Sequence, residues 1–293
     1  DAPKMLEERR KLFTEFSQRN YTRWNTPFDL LETFIVICTE AGEEFNNSYR
    51  STAVEENNLV FDIVVKHHAR ACHISQEILC LLKSGFADGA HARWRALHEV
   101  NVTAMFIAKH GQDCAERFYR HEIIESYKGM RQHKAYEYRL NEKGPTQEEL
   151  LEYKASYDKL ITKYRKTFGE PYGWASNAII NKRVNFADIE KDVLLDHMRP
   201  YYKWASQNIH AGVKGINNKL GMCEATEDIL LVGQSNSGMT DPAHSSAISL
   251  AQITTVLLNI EPNIDRLVIL KIIVEMEKEI GEAFLQCDKA GKV

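Results

Sequence analysis

The sequence contains little that would break a helix or start a strand. Only 7 of its 293 residues are proline, and the long segments between them carry apolar residues at a period near 3.6, while the alternation expected of strands is nearly absent. It has no uninterrupted apolar run of the roughly 20 residues that a bilayer requires. The longest candidate, Ile248 to Ile260, is broken by Ser249, Gln252, Thr254, Thr255 and Asn259. The opening DAPKMLEERRKLF lacks the apolar core of a secretory signal. No CxxC pair occurs among Cys38, Cys72, Cys80, Cys114, Cys223 and Cys287, which fits reduced thiols used as small core residues. These absences lead to the expectation of a cytoplasmic protein with no membrane partner. The chain has no GxxxxGK[ST], no GxGxxG after a strand and no GxSxG, so phosphate-loop, dinucleotide-fold and serine-hydrolase chemistry are excluded. It also lacks a large charge excess. A formal net charge of -4 and a pI near 6.3 argue against a surface that attracts nucleic acid everywhere, but leave room for a local basic groove. No internal repeat or low-complexity tract is present.

With 44% apolar and 27% charged residues, the chain has enough material for a substantial core. The pattern predicts an all-α fold: a helical bundle of long antiparallel helices with an N-terminal two-helix extension and a long glycine-rich loop. The extension covers 1–56, with one helix over Pro3 to Arg19 and a second capped at Thr26-Pro27 and running to Ser48. The core domain covers 57–293. It starts with a helix over Asn57 to Lys83, its apolar stripe formed by Leu59, Ile63, His67, Ile74, Ile78 and Leu81. Ser84-Gly85 then turns the chain into an antiparallel helix over Phe86 to His110, with Trp94, Leu97, Val102, Met105 and Phe106 facing the core and Gly111 as its stop. A helical hairpin insertion at about 112–168 turns at NEKGP, and an aromatic loop follows over Gly169 to Asn185. A further helix runs from an Asp188 cap to His210, with Pro200 expected to kink it. The glycine-rich stretch Ala211 to Pro242 is a candidate lid or partner-binding segment. Helices over His244 to Asn259 and Pro262 to Cys287 close the bundle.

The densest polar cluster lies in ARWRALHE, Ala92 to Glu99, where His91, Arg95 and Glu99 share one face at i, i+4, i+8. A guanidinium facing a bundle interior needs an anionic partner, which Glu99 can supply as a purely structural pair. In the functional alternative, Arg95 or Arg93 binds a phosphate or carboxylate while His98 acts as acid or base. On the later helix Tyr202, Ser206 and His210 repeat at the same spacing, and packing them against Arg95 and Glu99 would put proton-transfer groups beside an anion site. A histidine at that helix end also serves as a favourable cap to the dipole. His67, His68, Cys72, His73 and Cys80 crowd one helix, but no Glu-x-x-His occurs, so no metal is assigned. The basic and aromatic run Arg10 to Trp24 reads as an amphipathic helix with a solvated face.

ARWRALHE, the EVNVTAMFIAKHG that follows it and the later YYKWASQNIH resemble a bacterial helical domain-of-unknown-function family, number 5677. Its recurring features are an Arg-x-x-x-Glu on a core helix, here Arg95 and Glu99, and a Ser-x-x-x-His on a later one, here Ser206 and His210. A looser likeness is to the HEPN superfamily of helical bundles, many of them metal-independent ribonucleases of toxin and phage-defence systems. Their Arg, four to six residues, His signature is met by Arg93 and His98, but Trp94 follows the arginine here where a polar residue is usual. Residues five apart on one helix point about 140° away from each other. Arg95 with His210 is therefore the better pair.

The HEPN resemblance implies a homodimer acting on RNA or a nucleotide, with Arg95 holding phosphate, His98 or His210 moving the proton, Glu99 beside them, and Arg93, Tyr202 and Ser206 in contact with substrate. No cofactor is implied. The competing expectation is a non-catalytic interaction or sensor module in which Arg95 and Glu99 are a structural pair.

Overall fold

A computed structural model describes residues 1–180, 183–217 and 219–291. Among them every regular element is helical: α1 Ala2–Glu55, α2 Leu59–Lys83, α3 Ala87–Leu140, α4 Gln147–Tyr164, α5 Phe186–Asp192, α6 Arg199–Gln207, α7 Val213–Asn217, α8 Thr240–Leu258 and α9 Ile264–Ala290, with short 3-10 turns between some of them. The chain is all-α. No helix among the described residues is long and apolar enough to cross a membrane.

Two compact units are present. The first combines Asp1–Asn57, Phe61–Met105 and His197–Val293; the second combines Asn58–Val60 and Phe106–Asp196.

In the first unit the two helices expected at the N-terminus are one, and α1 packs on α8 and α9 instead of standing outside the core. Pro27 lies inside it without an N–H to donate, which costs an isolated helix about 3 kcal/mol. That loss is outweighed because Trp24, Phe28, Leu31, Phe34 and Ile35 are buried on both sides of it, each contributing roughly 1.5–3 kcal/mol. Of the stripe expected on α2, Ile63, Ile74 and Ile78 are buried, but the buried face is broader and extends to other residues. Phe61, Val64, His68, Ala71, Ser75, Ile78 and Leu82 are inside, while Leu59, His67 and Leu81 are only half-buried.

Ser84 and Gly85 make the tight joint to α3. Gly85 takes a positive φ of 81°, and a Cβ there would stand 2.4 Å from the Phe16 ring. The central helix is α8, whose small polar residues tie its neighbours together. Ser249 accepts from the Trp94 indole at 3.0 Å, Gln252 accepts from Asn101 at 2.6 Å, and Thr254 Oγ1 meets His68 Nε2 at 3.0 Å. Gly42 lets the His68 ring lie against α1, since a Cβ there would be 2.4 Å from Cε1.

The stretch after α6 is better fastened than a lid. Asp88 accepts from the backbone N–H groups of Leu220 (2.9 Å) and Gly221 (3.2 Å), and Ser235 donates its N–H to Gly85 at 2.9 Å. Arg23 grips Glu224 with two nitrogens at 2.7 and 2.8 Å, and the Trp24 indole donates to the Asn236 carbonyl at 2.8 Å. A loop rich in glycine is thus pinned to α1 and α3, where Asp88 and the Trp24 indole meet its backbone groups and Arg23 meets its Glu224.

In the second unit the chain breaks helical geometry at Gly111 (φ 73°), the expected stop, although α3 resumes at once. Thr146 and Glu149 form a reciprocal capping box for α4. Arg117 binds the aromatic loop through the Trp174 carbonyl (3.1 Å) and the Ser176 hydroxyl (3.0 Å), its guanidinium lying 4.6 Å from the centre of the Tyr164 ring. The expected Asp188 cap is a capping-box partner one turn in, the cap itself being Asn185.

Candidate functional site

Within the first unit, α3 and α6 meet through the residues singled out from the sequence. Pro200 does not kink a longer helix: it occupies the first turn of α6, where its missing N–H leaves no bond unmade. Tyr202, two residues later, is brought onto Glu99, and its hydroxyl donates to Oε1 at 2.5 Å. Arg95 Nε sits 3.2 Å from the same oxygen, one turn back along α3, and its guanidinium lies 4.8 Å from the centre of the Tyr202 ring. Arg199, which the sequence reading passed over, places a second guanidinium 5.1 Å from that ring. Its i, i+3 relation to Tyr202 was the available signal. Burial and the negative charge of Glu99 push the Tyr202 phenol up from its ordinary value, against the pull of Arg95. The phenol is therefore a donor at neutral pH, neither base nor nucleophile.

The remaining candidates separate. Arg93 is two residues from Arg95, about 200° around the helix, and its Nε donates to Glu77 of α2, which also has His73 Nε2 3.5 Å away. Arg93 thus belongs to the α2 face and not to the cluster. His98 is 1% exposed, its ring 5.4 Å from Trp94 and 5.9 Å from Tyr202 between centroids. It lies under the cluster, away from solvent. Ser206 turns inward on its own helix and donates to the Tyr202 carbonyl at 2.8 Å.

His210 is exposed and off the helix, because α6 ends at Gln207. The chain then folds back so closely that a Cβ on Gly215 would stand 2.1 Å from the Gln207 carbonyl oxygen. The i, i+4, i+8 line of Tyr202, Ser206 and His210 is therefore broken at its last member.

His91, expected on the face of Arg95 and Glu99, is fully buried. It stacks on Trp94 (5.6 Å, 13°) and meets Trp204 edge-on (5.1 Å, 81°). Neither ring nitrogen has a hydrogen-bond partner among the described residues, and burial pushes the imidazole down to about 4. The histidine and cysteine run on α2 does not assemble either: among the described residues no three His, Cys, Asp or Glu side chains are placed to hold a metal. Among the described residues none of the six cysteines forms a disulfide.

Fold and cluster together define an all-α protein in which one carboxylate, Glu99, joins the third helix to the sixth through the Tyr202 hydroxyl and pairs with Arg95 of its own helix. Residues 61–228, more than half of the chain, match a family of unknown function, DUF5677, and the chain belongs to that family. The matched stretch carries the whole α3 and α6 cluster, whereas α1, α8 and α9 lie outside the match. No curated protein and no solved structure matches the chain.

Proposed function

We propose that this protein acts by binding, as a cytoplasmic helical interaction or sensor module, and that Arg95, Glu99 and Tyr202 are the structural latch between α3 and α6. The observation that carries this reading is the convergence of the Tyr202 hydroxyl and the Arg95 guanidinium on one Glu99 carboxylate. Groups that would have to meet a phosphate and move a proton already serve one another. The burial of His98 supports the same reading.

Arg95→Ala is expected to lower the unfolding free energy by about 1–2 kcal/mol. The ion pair is partly open to water and adds little, while the charged hydrogen bond from Tyr202 loses its alignment. Tyr202→Phe should cost about 1 kcal/mol. Urea denaturation measures both.

A second reading, a HEPN-like homodimer cleaving RNA or another nucleotide phosphate without metal in a phage-defence setting, is favoured by one fact. The Arg95 and Glu99 side chains remain 24% and 38% exposed, so an anion can reach them. Of the two histidines considered for the proton, only His210 is open to solvent. Incubation with total RNA in EDTA separates the readings. Binding alone predicts no cleavage, whereas cleavage lost in both Arg95→Ala and His210→Ala, with their folding intact, establishes the second reading.

A further inference from the structure

The distal part of α3, in the second unit, is basic in a protein whose formal charge is -4. From Ser126 to Leu140 the cations are Lys128, Arg131, Lys134 and Arg139, and the only carboxylate is Glu137. At about 100° per residue, Lys128, Arg131, Gln132, Ala135 and Arg139 share one face, with Tyr138 along one edge and Tyr136 along the other. Glu137 lies on the opposite side of the helix. There it accepts from Lys134 Nζ at 2.9 Å and from the Gly144 backbone N–H at 3.2 Å, which ties it to the turn before α4.

Elsewhere in this unit the surface cations are matched by an acid one turn away: Arg120 by Glu116 at 2.7 Å and Lys154 by Asp158 at 2.5 Å. Arg131 and Arg139 are different. Among the described residues neither makes an ion pair, and each lies over a tyrosine ring, Arg131 at 5.7 Å from the centre of Tyr127 and Arg139 at 5.8 Å from that of Tyr136. An arginine resting on a ring keeps its N–H groups for an acceptor from outside. Tyr138 is 94% exposed and Tyr136 47%.

The combination selects among anions. A free phosphate would use the guanidinium groups and leave the phenol rings idle. An anionic bilayer would need apolar side chains to insert, and Ala135 is all that this face offers. A single-stranded polynucleotide supplies both partners, phosphates for the arginines and bare base faces for the rings, whereas a duplex hides its base faces.

We propose that this face of α3 binds single-stranded nucleic acid, with Arg131 and Arg139, about 12 Å apart along the helix, on its phosphates and Tyr138 stacked on a base. The proposal rests on the reading of the protein as a binding module and names the class of ligand. It uses no member of the α3 and α6 cluster and includes no cleavage step.

Fluorescence anisotropy of the full chain with labelled oligo(U) and oligo(dT) of about 12 nucleotides, within the range of single-strand site sizes, tests it. Saturable binding of at least one strand is expected, and the comparison of the two separates RNA from DNA as its source. The double variant Arg131→Gln/Arg139→Gln should weaken binding about tenfold or more and flatten the plot of log affinity against log salt by about 1.4, the share of two phosphate contacts. Tyr138→Ala, at a position that packs on nothing, should weaken it about fivefold or more, while Lys154→Gln on α4 should leave it unchanged. Absence of binding by both strands overturns the proposal. So does binding that survives both the arginine pair and the tyrosine variant, a duplex of the same length that binds as tightly as the single strand, or capture by phosphatidylserine vesicles without capture of either strand. These outcomes are independent of the cleavage assay: a failed titration leaves the binding reading standing without its ligand, and Arg95-dependent RNA cleavage removes that reading whatever the anisotropy shows.

Discussion

Replacing Trp24 with alanine is expected to lower the unfolding free energy by about 3–5 kcal/mol, the range for truncating a buried aromatic residue. The indole is fully buried and tilted against Phe284 of α9 at 5.7 Å, with the Arg23 guanidinium 4.7 Å from its ring centre. Its N–H holds the loop through the Asn236 carbonyl. One substitution therefore opens a cavity between α1 and α9 and loosens the segment that precedes α8.

The Asn236 carbonyl keeps a second donor, Arg23 Nη1 at 3.2 Å, so the lost hydrogen bond is the smaller part of the effect. Trp24→Phe, which keeps most of the ring, should accordingly cost only about 1–2 kcal/mol. Thermal and urea denaturation measure both variants, and limited proteolysis should cut the Trp24→Ala chain sooner between 219 and 239. A loss below about 1 kcal/mol for Trp24→Ala would mean that α1 contributes little to the core, as the sequence reading expects of an N-terminal extension.

That contrast shows where the sequence was legible. Helix type and several boundaries followed from periodicity and from punctuation, as at Gly85, at Gly111 and at the NEKGP turn before Gln147. The continuity of α1 through Pro27 was not legible. A local rule says stop, and the reason to continue is tertiary, the burial of Trp24 and Phe28 on helices more than 200 residues later.

The meeting of Tyr202 with Arg95 and Glu99 was readable because i, i+4 spacing marks a shared face and buried charge needs a partner. The displacement of His210 was not readable. It depends on the chain reversing over the end of α6 at Gly212 and Gly215, and nothing in a helix-period count reports a close backbone approach. The cavity lined by Trp204, Asp241 and Asp288 was equally hidden, since these residues share no spacing pattern and lie on three helices.

Lowering the pH should destabilise the protein steeply, and two buried histidines set the window. Burial pushes His68 and His91 down to about 4, against about 6.5 for an exposed imidazole. Between those values the unfolded chain binds protons that the folded chain refuses, so stability falls with falling pH. The penalty is absent well above pH 6.5, grows as pH drops through that value, and is complete below about 4. Each imidazole contributes on the order of 3 kcal/mol over the window, and the pair together is a large share of the 5–15 kcal/mol typical of a folded domain. His67 and His121, also pushed down by burial, act in the same direction, while Asp241, pushed up by burial, acts against it.

His91 offers the cleaner test, because its ring nitrogens have no hydrogen-bond partner among the described residues while His68 is joined to Thr254. His91→Leu should leave stability at pH 7 unchanged or slightly raised, since it removes an unsatisfied polar group from an aromatic site. The same variant should recover about 3 kcal/mol of the acid loss by pH 4. Urea midpoints measured from pH 8 to pH 4 for both proteins decide the matter. If the two profiles run parallel through that range, His91 is not the group that titrates on unfolding.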